Sequence, residues 1–330
     1  MVDIGLNPYG LTYTLGLQGR GTARANPDGR GLKGFIAIAE ELGARTLEIF
    51  EPWLAEMDKP GLARLKERLD RLGMTPVVSG GLMMGPVDRA IRIAAALDAK
   101  VIRLGLTTVL CGDRAALGAE WPALVDKVRQ ALRAAAPHAE DAGVRLAIEN
   151  HQDFGSAELV AFCEDVGPAL GICYDTGNSF PVAEAPLAFT EVVAPHVIHL
   201  HLKDYRVQFT DEGYRLVRCA IGDGAVPIAE IVATVSAHHP RLGAVLEPGA
   251  LEARHVRLLT PSWWQGYPAR SAPALAACLA AARHRRLSDD ADFRTPWERG
   301  EDGALDTYEM DMIRKSAANM RALGLMESKQ

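Results

Sequence analysis

The chain has 330 residues, 48% of them hydrophobic and 24% charged, an average globular mixture. Lys plus Arg total 36 against 42 Asp plus Glu, a formal charge of −6 that argues against a nucleic-acid binder or an anionic-membrane binder. No apolar run approaches the ~20 residues of a membrane helix, the N-terminus shows no signal-peptide pattern, and the five scattered cysteines form no CxxC pair, which suggests a reducing cytoplasm.

In chain order, short β-branched apolar runs predict strands at residues 3–7, 46–50, 75–79, 100–105, 144–149, 169–174, 197–202 and 244–247. Amphipathic stretches predict helices at 32–42, 60–72, 87–97, 121–142, 157–165, 186–193, 227–236 and 272–282. Gly43 and Gly73 follow helical runs where a left-handed residue ends a helix, and Ser156 stands where an N-cap is expected. Eight strands alternating with eight helices predict an α/β protein built as one (β/α)8 TIM barrel over residues 1–284. No GxGxxG follows the first strand, which argues against an open doubly wound sheet. Residues 106–120 and 204–224 predict extended rim loops, the second with Asp-Glu-Gly and Gly-Asp-Gly turns. Residues 285–330 predict a C-terminal extension, a polar linker and then a helix over 308–323, suited to docking on another surface.

Four strands in the second half end in metal-compatible side chains: Glu149, Asp175, His201 and Glu247. Their spacings are 26, 26 and 46 residues, one βα unit each with the last lengthened by the loop. Equivalent ends of parallel barrel strands share one rim, so the four converge on one pocket. Three carboxylates packed together repel, and each pKa rises unless a cation compensates them. Three oxygen donors and one imidazole favour one divalent ion, Mn²⁺ with Mg²⁺ or Co²⁺ as alternatives, over a thiolate zinc site. Each residue alone reads as a rim charge, a turn former or a hydrogen-bonded core histidine; the set carries the inference.

At these residues the chain resembles the xylose-isomerase-like barrels, a superfamily of sugar isomerases, epimerases and related apurinic endonucleases. The resemblance rests on LAIENHQDF (146–154), CYDTGNSF (173–180), HLHLKDY (199–205), IGDGAVP (221–227) and LEP (246–248). It implies that Glu149, Asp175, His201 and Glu247 hold a single divalent metal. It also implies that Glu149 and Glu247 exchange protons with opposite faces of a keto-sugar enediolate. Asn178 stands where epimerases and endonucleases usually have His, and the rim has too few histidines for a trinuclear zinc site. Together with the acidic charge, this argues against DNA repair. ENHQDF with DTGNS and a later Trp-Trp pair is closer to a branch acting on 3-oxo sugars. That branch includes 3-keto-glycoside epimerases, decarboxylases of 3-oxo acids and large subunits of C-glycoside-cleaving enzymes.

The expected activity is that of a carbohydrate isomerase or epimerase working through a metal-stabilised enediolate. A lyase starting from the same enolate is the alternative, and a non-catalytic sugar-binding or partner subunit is the second. Glu149, Glu247 or His151 is the candidate base, and Lys203 the candidate support for an enolate oxygen. Asn150 and Gln152 are candidates to orient ligands. Tyr9, Trp53, Asn178 and Trp263 are candidate substrate contacts. The expected partner is a small sugar-type molecule, with no nucleic acid and no membrane. The resemblance further implies a homo-oligomer, or a hetero-oligomer with a small second subunit.

Overall fold

The computed structural model describes residues 2–83, 85 and 87–327. Its strands are β1 (Asp3–Leu6), β2 (Thr46–Phe50), β3 (Thr75–Gly81), β4 (Val101–Gly105), β5 (Arg145–Glu149), β6 (Leu170–Asp175), β7 (Val197–Leu202), β8 (Tyr205–Thr210), β9 (Gly213–Arg218), β10 (Gly243–Leu246) and β11 (Arg254–Val256). Eight of them close a parallel barrel in the order β1-β10-β7-β6-β5-β4-β3-β2. A barrel strand is covered on both faces, which is why these runs are apolar with little alternation and why all of β6 is buried. Closure at β1 and β2 depends on Gly5, because a Cβ there would lie 1.5 Å from the Thr46 carbonyl oxygen.

The expected helices wrap the barrel, among them Gly31–Leu42, Lys59–Leu72, Trp121–Asp141 and Ile228–His238. Gly43 and Gly73 end the first two with φ of 70° and 63°, left-handed values that cost glycine little. Helix Ser156–Val166 departs from expectation at its start. Glu158 accepts from the Gly155 N–H, while the Ser156 hydroxyl donates to Glu184 instead of capping.

Two larger differences concern the segments beyond the minimal barrel. The loop expected at 204–224 contains a hairpin, β8 and β9, which β11 joins as a three-stranded antiparallel sheet. Helix Ala272–Ala282 packs on this sheet, where Cys278 meets the Tyr214 hydroxyl and Arg283 lies over the Phe209 ring. The C-terminal helix forms over Leu305–Ala322 and docks on the barrel itself. It runs alongside Gly31–Leu42 in the same direction: Arg30 pairs with Asp306 at 2.7 Å near the starts, and Arg321 donates to the Leu42 carbonyl at 2.6 Å near the ends. Met310, Ile313, Ala317 and Met320 enter the common hydrophobic core. The stretch after residue 284 therefore shares the core of the barrel.

Glu309 ties this helix to the loop after β1. Its buried carboxylate accepts from the Thr14 N–H at 2.8 Å and the Tyr13 N–H at 3.1 Å, with Arg218 4.0 Å away. Glu309→Ala leaves those N–H donors without a partner and the buried Arg218 guanidinium, still bonded to the Gly10 carbonyl, without its counter-charge, so unfolding free energy should fall by about 3 kcal/mol. Urea denaturation checks this; an unchanged midpoint would show that the anchor contributes nothing.

Candidate metal centre and its cavity

The register of the barrel brings the predicted strand ends together. Asp175 is paired directly with His201 across β6 and β7, and His201 with Val245 across β7 and β10. Glu149 ends β5, and Glu247 directly follows β10. One donor atom from each of Glu149, Asp175, His201 and Glu247 lies within 4.8 Å of the others, and all four residues are buried. His201 Nδ1 is 2.8 Å from Glu247 Oε2 and 3.2 Å from Glu149 Oε1. Apart from these contacts and an ion pair from Arg103 to Glu149 Oε2, no hydrogen bond among the described residues reaches Nδ1, either Glu149 oxygen or Glu247 Oε2, and all are shielded from water. Three carboxylates and an imidazole nitrogen converging on one point are the donor set that a divalent cation would satisfy.

Cys173, His199 and His201 form a second compact group. Burial pushes the Cys173 thiol up to about 12, and both ring nitrogens of His199 are engaged, by Gly243 O and Glu48 Oε2 at 3.0 Å each. Without a metal that group is a neutral thiol beside a hydrogen-bonded histidine.

Two residues not singled out from the sequence hold the cluster. Glu48, in the middle of β2, accepts from His201 Nε2 at 2.6 Å, His199 Nε2 at 3.0 Å and Asn7 Nδ2 at 2.9 Å. Burial would raise its carboxyl, but His201 and His199 outweigh burial and hold it well below the usual range. Arg103, in the middle of β4, pairs with Glu149 and lies 4.0 Å from Glu48. The available signal was a charge inside an otherwise apolar barrel strand, which must be paired when both faces are buried.

Lys203 follows β7 and bridges Asp175 and Glu247, the latter at 2.6 Å. Burial would lower its ammonium, but Asp175 and Glu247 raise it well above the ordinary value. Against burial, Lys203 and His201 lower Glu247, and Arg103 with His201 lowers Glu149. Burial, with Glu247 and Glu149 adding, raises Asp175 against the pull of Lys203. Burial lowers His151 to about 4 with Glu149 opposing and Arg103 and Lys203 adding, so its imidazole is neutral near pH 7.

Of these groups Lys203, Glu247 and His151 line a cavity of about 640 Å³, large enough for a monosaccharide, with Tyr9, Phe50 and Arg254 also in its wall. Of the four candidate substrate contacts, only Tyr9 reaches that wall. Trp53 packs behind it, 5.9 Å from both Phe35 and Phe50 by ring centroid. Trp263 is buried, stacks on Tyr267 at 4.6 Å and donates its indole N–H to Cys111 O, bracing the loop after β4. Asn178 is also buried, and donates to Asp175 Oδ2 at 2.8 Å. Asn150 clamps the Asp175 backbone through two hydrogen bonds, and Gln152 accepts from the Cys111 N–H.

Comparison with known proteins gives a consistent picture. The 3-oxo-isoapionate decarboxylase of Pectobacterium atrosepticum (strain SCRI 1043) is 25% identical over 268 residues, covering 79% of this chain and 91% of that protein. D-psicose 3-epimerase from Clostridium cellulolyticum H10, solved with D-tagatose, superposes with a TM-score of 0.57 at 17% identity, covering 88% of this chain and 92% of that one. A xylose isomerase-like barrel protein from Mycobacterium smegmatis, solved with magnesium, gives a TM-score of 0.51 at 20% identity over 78% of this chain and 93% of that one. Residues 36–255 match the Xylose isomerase-like TIM barrel family, and with the closed parallel barrel described above, the chain belongs to that family.

Proposed function

We propose that this protein is a divalent-metal-dependent carbohydrate enzyme that enolises a 3-oxo sugar or 3-oxo sugar acid. The observation that carries the reading is the convergence of buried metal-ligand atoms from Glu149, Asp175, His201 and Glu247 within 4.8 Å of one another. Glu149, Asp175, Glu247 and His201 Nδ1 would hold the cation, Mn²⁺ first with Mg²⁺ or Co²⁺ as substitutes. When bound, the cation supplies a Lewis acid that draws electron density from the substrate carbonyl.

The chain's own residues supply the rest. Glu48 takes the Nε2–H of His201, which leaves the Nδ1 lone pair for the cation. Neutral His151, on the cavity wall, accepts a proton at its free ring nitrogen from the carbon beside the carbonyl. The C–H electron pair becomes the C=C of the enolate, whose oxygen accepts a hydrogen bond from the Lys203 ammonium. Tyr9 and Phe50 cover the cavity wall and exclude water from the reacting carbon.

Arg103 on Glu149 and Lys203 on Glu247 hold both glutamates as ion-paired carboxylates. A pair of free bases on opposite faces is what epimerisation needs, so this pairing favours a lyase outcome. The enolate expels a β-substituent, or, for a 3-oxo acid, the C–CO₂ bond breaks in place of the C–H bond, its electron pair passing into the carbonyl to form the enolate directly. The decarboxylase relative supports the same order, which reverses the preference read from the family as a whole. Epimerisation is the second reading, favoured by the placement of Glu149 and Glu247 within 3.2 Å of the same His201 nitrogen. Metal analysis, then incubation of Mn²⁺-loaded protein with a 3-oxo sugar acid and a 3-keto-glycoside in D₂O, separates the two. Release of CO₂ or aglycone is the expected result. Deuterium in recovered substrate without cleavage would favour the epimerase, and no metal with no reaction would sink both.

Glu48→Gln should weaken Mn²⁺ binding by about 10- to 100-fold, because the oriented imidazole loses its carboxylate partner. Calorimetric titration with Mn²⁺ is the check; unchanged affinity would separate Glu48 from the metal.

A further inference from the structure

The cavity wall carries five Lys and Arg side chains, three of them ion-paired and one, Arg20, exposed to solvent. Lys203 bridges Asp175 and Glu247, Arg103 meets Glu149, and Arg89 binds Glu51 through a 3.0 Å contact. Glu252, the carboxylate nearest in sequence to Arg254, accepts from Gln18 at 3.0 Å. Arg254 differs: among the described residues its guanidinium makes no ion pair or hydrogen bond, and its Nε is shielded from water without a partner. The residue is half-buried and rigidly mounted, because β11 pairs with β9 in the register Arg254 to Leu216. Its strand neighbour two positions on, Val256, is fully buried, so the same sheet face points into the protein. Tyr205 and Cys111 feel its field: burial raises both groups, and Arg254 opposes that rise in each. Nε is shielded without a partner while the side chain lines the cavity, a placement in which a ligand that supplies the counter-charge is stabilising.

We propose that Arg254 is the receptor for a carboxylate on the substrate, so that the enzyme acts on a sugar acid in preference to a neutral sugar. This rests on the reading of the cavity as a sugar site. One unpaired guanidinium matches a monoanion in charge, and its planar fork matches the two oxygens of a carboxylate. The hairpin and β11 are additions to the minimal barrel, so this subsite is a property of the inserted sheet.

The test uses two stable probes of equal carbon number, D-ribonate and ribitol, titrated calorimetrically into the full chain with and without Mn²⁺. The wild-type protein should bind ribonate about tenfold tighter than ribitol. Arg254→Gln should abolish that preference while leaving ribitol and Mn²⁺ affinity unchanged, and Arg254→Lys should restore part of it. An equal ribonate-to-ribitol ratio in wild type and Arg254→Gln overturns the proposal, as does a wild-type protein that does not prefer ribonate. D-ribose 5-phosphate binding tighter than ribonate, with that gain lost in Arg254→Gln, would make the subsite a phosphate receptor and likewise overturn the carboxylate assignment. Failure of the metal reading is visible separately: no Mn²⁺ binding with an intact Arg254-dependent ribonate preference would leave the anion subsite standing.

Discussion

Glu149→Gln is expected to lower turnover of a 3-oxo substrate by at least about 1,000-fold, equivalent to about 4 kcal/mol of barrier. Gln keeps the shape of the side chain and removes its charge. The site then has two carboxylates and an imidazole to balance a divalent cation, and Arg103 loses its ion-pair partner beside that cation. Mn²⁺ affinity should fall with activity, by about 100-fold or more on the same electrostatic grounds. Chelation of wild-type protein with EDTA should reproduce the loss, and added Mn²⁺ should reverse it. Metal content by mass spectrometry, calorimetric Mn²⁺ titration and product release are the measurements. Full metal content with full activity in the variant would overturn the role given to Glu149.

Arg103→Met should destabilise the metal-free protein by about 3–5 kcal/mol, because it leaves buried carboxylates without their counter-charge. Glu149 and Glu48 are both fully buried, and Arg103 lies beside both. The methionine side chain replaces much of the removed volume, so the loss is electrostatic rather than a cavity effect. Mn²⁺ at about 100 times its dissociation constant should return about 2.7 kcal/mol, since the ion binds only the folded state. Chemical denaturation with and without Mn²⁺ measures both quantities. A variant as stable as wild type without metal would show that the carboxylates do not depend on Arg103.

The two experiments address different links in the same chain of causes. Glu149→Gln asks whether the convergent donors serve a cation, whereas Arg103→Met asks what keeps them folded together. A protein that loses metal and keeps its stability would separate the two roles, and so would the converse.

Much of the site was legible because strand ends in a parallel barrel recur once per βα unit. Glu149, Asp175 and His201 are separated by 26 residues each, and that spacing places them on one rim before any coordinates are known. Lys203 and His151 were legible for the same reason, through proximity to those ends. Trp53 and Trp263 were not, because an aromatic beside a strand end can face the cavity or brace the wall from behind. The indole of Trp263 chose the second by donating to Cys111 O, a carbonyl 152 residues away. The hairpin at 205–218 was hidden by its turn residues, since Asp-Glu-Gly reads equally well as a loop.

The sequence by itself determined the barrel, because period and the count of barrel strands are local properties that closure only repeats. It also determined which donors share a rim. Tertiary structure decided what balances them. Glu48 meets His201 across 153 residues, and Arg103 reaches Glu149 from a neighbouring strand. It decided too that the C-terminal helix completes the shared core, and that Arg254 faces the cavity without a partner. The physical reason is the same in each case: a charge declares its role only when burial removes water and leaves another residue, or a ligand, to answer it.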